Sequence, residues 1–301
     1  MGKEVSSGVV IQMQDYSIHD GDGVRTTIFL AGCGLRCQWC ANPESWTKKP
    51  KLAFYAHKCS QCHSCEPVCP QSLKPSSNEF DLSDCTLCGA CVSVCPEKAL
   101  ELACSDTDVE SVMQKIRRDE LFFRHTGGGV TFSGGEPFLQ HQFLRQLMAG
   151  CEQLGVSVWV ETCGFFNWKQ CQDLMSGIEH VFFDIKHMDE QVHEQVTGQS
   201  NRTILDNARK MHELGVPMTI RVPLITEVNL DDDNLRATAE FIREYLSGST
   251  IELLPYHELG KAKYMAFRMD EVFHSFTTPT PEQVEKAYDV FSGYQIRRYM
   301  G

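Results

Sequence analysis

The chain has 301 residues, 42% of them hydrophobic, enough for one large domain or a domain with an insert. Its net charge of −12, from 28 basic and 40 acidic residues with no Lys/Arg stripe, argues against a nucleic acid partner. No apolar run approaches the roughly 18 residues of a membrane span, and Met1-Gly2-Lys3-Glu4-Val5 opens no apolar secretion signal, so a cytoplasmic chain without a membrane partner is expected.

Of fifteen cysteines, eleven fall between Cys33 and Cys95, in three tight clusters with two- and three-residue gaps. In a small secreted protein that abundance would mean disulfides. In a cytosolic chain these gaps favour metal ligation. Exposed metal–thiolate clusters are oxidised by dioxygen, so an anaerobic role is expected.

Residues 5–31 read as a lead-in and a first strand, Thr27-Ile28-Phe29-Leu30. Within them Asp20-Gly21-Asp22-Gly23-Val24-Arg25 reads most simply as a tight turn before that strand. The loop Gly32-Cys33-Gly34-Leu35-Arg36-Cys37-Gln38-Trp39-Cys40 follows. Its three thiolates, at C-x3-C-x2-C spacing, suit three irons of a 4Fe–4S cube and leave the fourth iron open to a small molecule.

Residues 51–103 change character. Cys59-x2-Cys62-x2-Cys65-x3-Cys69-Pro70 is followed by Cys85-x2-Cys88-x2-Cys91-x3-Cys95-Pro96, each matching the bacterial ferredoxin run. In that pattern the fourth cysteine serves the other cluster. Cys59, Cys62, Cys65 and Cys95 are therefore expected on one cube, and Cys85, Cys88, Cys91 and Cys69 on a second. Zinc also takes thiolates at such gaps, but two complete runs, each closed by proline, favour cubes. So few apolar residues separate the ligands that this insert should fold around its clusters.

From about residue 104 strands and helices alternate. Thr107 to Glu110 reads as a capping box for a helix with Val109, Val112, Met113 and Ile116 on its apolar face. Strands are predicted at 129–132, 157–160, 181–183, 218–220 and 251–254. Helices are predicted over 138–154, with Leu139, Phe143, Leu147 and Leu154 inward, and over 235–246, behind Asp231-Asp232-Asp233 as dipole compensation. A last helix starts at Thr280-Pro281, and a final strand is expected over 295–299. Six strands with crossovers make a parallel sheet. The polar clusters fall at strand carboxyl ends, where α/β barrels put active sites. Cys33–Cys40, Gly134–Glu136, Glu161, Asp184–Lys186, Arg221 and His257 should therefore face one cavity.

Gly134-Gly135-Glu136 suits a bound amino group, with carbonyls brought close and a carboxylate nearby. Gly127-Gly128-Gly129 is no phosphate loop, because no Gly-Lys-Ser/Thr follows. Lys186 and Arg221 suit a carboxylate or ribose hydroxyls. Asp184 and Glu161 would share a cation or bond the ligand, unless these four form only a buried ion-pair network. Cys151 and Cys171 read as core. Cys163 stands near the site without ligand spacing.

The cysteine loop resembles the signature of the radical S-adenosylmethionine (radical SAM) enzymes. Asp20-Gly21-x-Gly23-x-Arg25-Thr26, Ser133-Gly134-Gly135-Glu136-Pro137, Glu161-Thr162-x-Gly164, Asp184-Ile185-Lys186-His187-Met188, Thr197-Gly198 and Leu254-Pro255-Tyr256-His257-Glu258-Leu259-Gly260 narrow the resemblance to the glycyl radical enzyme activating enzymes, in their larger branch with a ferredoxin-type insert. It implies an α/β fold, a partial (β/α)6 barrel, with the core in residues 1–50 and 104–301 and the two-cluster insert in 51–103.

The resemblance also implies a reaction. SAM, bound to the open iron, is cleaved reductively to a 5′-deoxyadenosyl radical, which takes the α-hydrogen of a glycine in a large partner enzyme. Cys33, Cys37 and Cys40 would hold that cluster. SAM contacts would fall to Trp39, Cys40, Ala41, Gly134, Gly135, Glu136, Glu161, Asp184, Ile185, Lys186, Arg221 and His257. Asp20 would lie near the incoming glycine loop, and acids matching Glu161 and Asp184 help related enzymes hold a monovalent cation. Three 4Fe–4S clusters, a flavodoxin or ferredoxin donor and a monomer complete the expectation. Diol or glycerol dehydratases, choline lyase and arylacetate decarboxylases are candidate partners. Two residues depart from the pattern. Asp22 stands where the family usually has proline, and Glu161 where the short branch has aspartate. Two other functions compete: a radical SAM enzyme acting on a free small molecule, which would leave no radical on a partner protein, and a three-cluster electron carrier, which would not cleave SAM and needs no Gly-Gly-Glu loop.

Overall fold

The computed structural model describes residues 7–77, 80 and 82–300. The stretch read for a secretion signal and residues 5 and 6 of the lead-in lie outside the described residues. Strands β1 (Ser7–Ser17) and β2 (Arg25–Leu30) come first. The cysteine-rich segment holds β3 (Lys51–Phe54), the short helix α1 (Ala90–Ser93) and β4 (Leu100–Ala103). Then follow β5 (Ser105–Asp108), α2 (Val109–Thr126), β6 (Gly129–Gly134), α3 (His141–Leu154), β7 (Ser157–Thr162), α4 (Trp168–Cys171) and β8 (His180–Asp184). The chain continues with α5 (Glu190–Thr197), α6 (Arg202–Glu213), β9 (Met218–Leu224), α7 (Asp232–Tyr245), β10 (Thr250–Pro255), α8 (Lys261–Ala266) and α9 (Pro281–Gly293).

Eight strands form one sheet in the order β10-β9-β8-β7-β6-β2-β1-β5. The run from β10 to β2 is parallel, and β1 and β5 add an antiparallel edge. The fold is thus α/β with a mostly parallel sheet. The period of two sorts its side chains. Val158, Val160, Val181, Phe183, Ile220, Val222, Ile251 and Leu253 join the main apolar core with the buried faces of α2, α3, α6 and α7. The alternate residues, Trp159, Glu161, Phe182, Asp184, Arg221 and Glu252, point to the other face. In register, Asp184 stands beside Arg221 and Arg221 beside Glu252, so three charges form one row across β8, β9 and β10.

Helix boundaries follow local chemistry. The cap of α2 is Asp108, which accepts from Ser111 N at 2.7 Å. The capping box expected at Thr107 is absent, and the cap falls one residue later, on Asp108. The predicted helix from Phe138 begins as a 3₁₀ turn, and α3 starts at His141. Here the Gln140 side chain leaves the helix axis to bridge Val9 and Ala31 backbone groups at 2.8 Å. Asp231 caps α7, and Thr280 forms a full capping box with Gln283 on α9. The final strand expected over 295–299 is a single bridge, Ile251 to Arg298. Gln295 lies in the left-handed region at φ 63° and breaks the extension.

Strands β3 and β4 pair antiparallel and bracket the eight ferredoxin-pattern cysteines. Between them the chain is mostly turns around a small apolar cluster of Leu52, Cys65, Phe80, Cys91 and Leu100. All fifteen cysteines are free thiols. Among the described residues no helix is long and apolar enough to cross a membrane.

Candidate active site

A cavity of about 320 Å³ opens at the carboxyl ends of the parallel strands. Cys33, Cys37, Trp39, Cys40 and Ala41 line it from the loop after β2, Gly134 and Gly135 from the end of β6, Glu161, Asp184, Lys186 and His257 from at or just beyond later strand ends, and Arg221 from within β9. Residues scattered over more than 220 positions of the chain thus meet in one place.

The cysteine loop is held on three sides. Its Arg36 N–H donates to Thr197 O at 2.7 Å and Gln38 N–H to Val196 O at 3.1 Å, tying it to the end of α5. Gly32 N–H donates to Ser45 O at 2.7 Å, and the Arg36 side chain closes onto Cys33 O at 2.8 Å. Gly135 N–H donates to Leu30 O and Glu136 N–H to Gly32 O, both at 2.8 Å. These bonds explain the two glycines. A Cβ on Gly134, at φ 108°, would lie 2.5 Å from Leu30 O, and one on Gly135 2.3 Å from Gly32 O. The pair is required first for packing the β6 loop against the cysteine loop.

Glu136, expected on the cavity, does not line it. Its carboxylate is fully buried and accepts from Thr162 Oγ1 at 2.8 Å, Cys163 N at 3.0 Å and Phe138 N at 3.2 Å. Burial pushes its carboxyl above the ordinary range. Glu136 therefore shapes the loop from behind. Ile185 also faces away, because the alternation along β8 turns it into the apolar core with the helices. Asp20 stands outside the lining. It accepts from Thr27 Oγ1 at 2.6 Å, and its neighbour His19 accepts from Arg221 Nη2 at 3.2 Å through its carbonyl. The β1–β2 loop thus reaches the cavity's edge.

The charged side chains pair across strands. Arg221 binds Glu161 with Nη1 and Glu252 Oε2 at 2.6 Å with Nε, and its guanidinium lies 3.4 Å from the centre of the Phe182 ring. Ser133 Oγ donates to the other Glu161 oxygen. Lys186 Nζ donates to Asp184 Oδ2 at 2.8 Å. Burial is the largest single influence on both cations and opposes their charge, but the negative groups around them together outweigh it, Asp184 with Cys37 and Cys163 at Lys186 and Glu161, Glu252 and Asp184 at Arg221, so both pKa values rise. Instead of the single buried network anticipated as the simpler reading, these four residues form two separate ion pairs, Lys186–Asp184 and Arg221–Glu161, which line the cavity.

Among the thiols, burial pushes Cys37 up to about 12 and Cys40 up to about 11. Such groups part with their protons when a metal takes their place. Three convergent thiols beside a pocket walled by cations and backbone fit a cube with one open iron and a small anionic ligand. The cavity wall also includes Ser133, Thr162, Cys163, Pro223 and Tyr256. Of these, Cys163 was flagged by its place after a strand. Glu252, one step back from the wall, carried no signal beyond an acid in a strand.

In the cysteine-rich segment, two small cavities divide the thiols. Cys59, Cys62, Cys65 and Cys95 line one, and Cys69, Cys85, Cys88 and Cys91 the other.

The sequence profile of the radical SAM superfamily matches residues 83–242. A radical SAM methyltransferase from Sphaerobacter thermophilus shares the fold, with a TM-score of 0.54 at 13% identity over 96% of this chain and 76% of that one. The chain is 38% identical over 269 residues to the (2S)-3-sulfopropanediol dehydratase activating enzyme of Klebsiella oxytoca, covering 86% of this chain and 85% of that one. It is 36% identical over 299 residues to the trans-4-hydroxy-L-proline dehydratase activating enzyme of Clostridioides difficile, covering 97% and 99%. The chain belongs to the glycyl radical enzyme activating enzymes of the radical SAM superfamily. Its cofactors are a 4Fe–4S cluster and SAM, and its partner is a glycyl radical enzyme.

Proposed function

We propose that Cys33, Cys37 and Cys40 hold the SAM-binding cluster, and that the remaining cavity residues hold SAM. Once bound, the cluster and SAM supply the 5′-deoxyadenosyl radical that takes an α-hydrogen from a partner glycine. The protein's part is binding, orientation and exclusion of water. The observation that carries this reading is the convergence of the three thiols with Gly134, Gly135, Lys186 and Arg221 on one cavity.

Lys186 and Arg221 supply positive charge for the SAM carboxylate or ribose hydroxyls. Gly134 and Gly135 offer backbone to the amino group, with Glu136 fixing their turn from behind. Trp39, Ala41 and His257 flank the nucleoside. The strand faces form the inner wall of a partial barrel. Asp20, at the edge of that wall beside His19 and Arg221, meets the partner's glycine loop. Glu161 and Asp184 would be the acids of a monovalent cation site, and here each already carries an ion-pair partner.

The insert, residues 51–103, holds two further 4Fe–4S clusters in the two cysteine-lined cavities. Cys59, Cys62, Cys65 and Cys95 would hold one and Cys69, Cys85, Cys88 and Cys91 the other, and so placed they would supply a path for electrons from a flavodoxin or ferredoxin to the site cluster. The chain acts as a cytoplasmic monomer. The two dehydratase activating enzymes among its relatives make a dehydratase the first partner to assay. The test is anaerobic reconstitution with iron and sulfide, followed by iron counting and Mössbauer spectroscopy. About twelve irons per chain is the expected content, falling by about four in a Cys33→Ala/Cys37→Ala/Cys40→Ala variant. An unchanged iron content in that variant would contradict the ligand assignment.

A further inference from the structure

Arg25 opens β2 and is wholly buried, and its hydrogen bonds go to backbone and hydroxyl oxygens rather than to a carboxylate. Nε donates to Thr131 Oγ1 at 2.8 Å, Nη2 to Val130 O at 2.8 Å and to Ser157 O at 3.3 Å, and Nη1 to Asp22 O at 3.3 Å. The guanidinium lies 4.9 Å from the centre of the Trp159 ring. Burial pulls its pKa down to about 10, which leaves it charged at neutral pH. A buried guanidinium costs more than an apolar side chain filling the same space. Its use therefore lies in what its planar fork of donors fixes in place.

That is the loop between β1 and β2. Thr131 Oγ1, which accepts from Arg25 Nε, donates in turn to Asp20 O at 2.7 Å. Gly21, at φ 129°, packs on the same side chains: a Cβ there would lie 2.6 Å from Trp159 Cε3 and 2.8 Å from Arg25 Cδ. Further along, Val24 N–H donates to Thr126 Oγ1 at 3.0 Å. A Cβ on Gly128, from the triplet that is no phosphate loop, would lie 1.8 Å from Val24 O. The loop is thus folded back onto the polar face of the sheet, where His19 O meets Arg221 and the Asp20 carboxylate meets Thr27.

We propose that Arg25 is a positioning residue that, with Thr131 and Trp159, seats the β1–β2 loop on the sheet and so sets where Asp20 stands for the partner's glycine loop. This rests on the reading that Asp20 meets that loop. Arg221 keeps Glu161 and Glu252 whether or not the loop is seated. A loosened loop therefore impairs recognition of the partner and spares SAM cleavage.

Thr131→Val removes the shared hydroxyl and keeps the shape, whereas Thr131→Ser keeps the hydroxyl and loses a methyl group. Hydrogen exchange of peptides covering residues 18–24 is read by mass spectrometry on the protein alone. The concentration of a glycyl radical dehydratase activated by the wild type that gives half-maximal activation is read from its electron paramagnetic resonance (EPR) doublet. 5′-Deoxyadenosine formed without the dehydratase reports SAM cleavage. In Thr131→Val, exchange in the loop and the half-maximal concentration should each rise about tenfold, the loss of one hydrogen bond to a charged group, with SAM cleavage unchanged. Thr131→Ser should stay near wild type, and Arg25→Lys, which keeps the charge without the fork, should follow Thr131→Val. Wild-type exchange and half-maximal concentration in Thr131→Val or Arg25→Lys overturn the proposal, as does a Thr131→Ser protein as impaired as Thr131→Val. Asp20→Asn separates the two readings. An unchanged half-maximal concentration there overturns the contact of Asp20 with the partner, and this proposal with it. A raised value there beside an unchanged one in Thr131→Val overturns the proposal and leaves the Asp20 reading standing.

Discussion

Arg221 reaches over the Phe182 ring to Glu161 on β7 while holding Glu252 on the adjacent strand β10. Two carboxylates fix one guanidinium, which keeps it charged and oriented. Glu252→Gln removes one charge-assisted bond and leaves the other. A loss near the low end of the range for hydrogen bonds to charged groups, about 1.4 kcal/mol, corresponds to about a tenfold rise in the SAM concentration needed for half-maximal 5′-deoxyadenosine formation. No rise would mean that Glu161 alone positions Arg221. His180 gives a second test. It stacks on Trp159 at 4.3 Å and meets Thr219 Oγ1 at 2.9 Å, with Asp22, Arg25 and Arg221 also acting on it. Burial lowers its pKa from 6.5 to about 4, so the folded protein holds it neutral. The unfolded chain takes a proton below about 6.5, so the stability contributed by neutral His180 is present above that pH and is lost as pH falls toward 4. A His180→Asn protein lacks this titration, so its melting temperature should fall less than wild type between pH 7.5 and 5.5. Parallel declines would contradict the assignment. At this scale the sequence was readable where chemistry and position coincide. Asp184 and Lys186 are polar residues at a strand end, where a parallel sheet opens, whereas Arg221, expected just past its strand, lies within β9. Glu136 was placed on the wrong side of its loop, because adjacency to two glycines says nothing about which way a side chain turns.

The elements divide between those that build the cavity and those of the cysteine-rich segment. Strands β6 to β10 announce themselves as short apolar runs ending in polar residues, so their number and direction could be read directly. Strand β1 could not. Its exposed half, Ile11-Gln12-Met13-Gln14-Asp15, alternates weakly, as an antiparallel strand near a sheet edge does. Strand β5 is four polar residues paired only to β1. The close approach of the β6 and cysteine loops makes a direct prediction. Gly135→Ala puts a Cβ 2.3 Å from Gly32 O, against backbone that cannot swing aside. SAM cleavage should fall by tenfold or more, with iron content retained; full activity would show that the two loops can separate freely. In the insert, Cys59 and Cys85 belong to different cysteine-lined cavities. Cys59→Ala and Cys85→Ala should slow turnover with reduced flavodoxin far more than with dithionite, which reaches the site cluster directly. Equal slowing with both donors would favour a docking role for the insert over a relay.

At the scale of the whole molecule, one sheet does two tasks. Its apolar face anchors the helices, and its polar face gathers side chains drawn from residues 33 to 257 into a single cavity. The cysteine spacing made this organisation legible from the start, because three thiols in eight residues have few other uses. The depth at which Glu252 and Cys163 support that cavity was not legible, since it depends on register and on turns that bring distant segments into contact. The central claim is that this cavity holds a cluster and SAM and delivers a radical to a partner protein. Its most direct measurement is anaerobic EPR of the reduced, reconstituted protein with SAM and a glycyl radical dehydratase. A doublet on the dehydratase, formed together with 5′-deoxyadenosine and absent from the Cys33→Ala/Cys37→Ala/Cys40→Ala variant, is the expected result. SAM left uncleaved by the fully reduced wild-type protein, with the cluster spectrum unchanged on its addition, would contradict it.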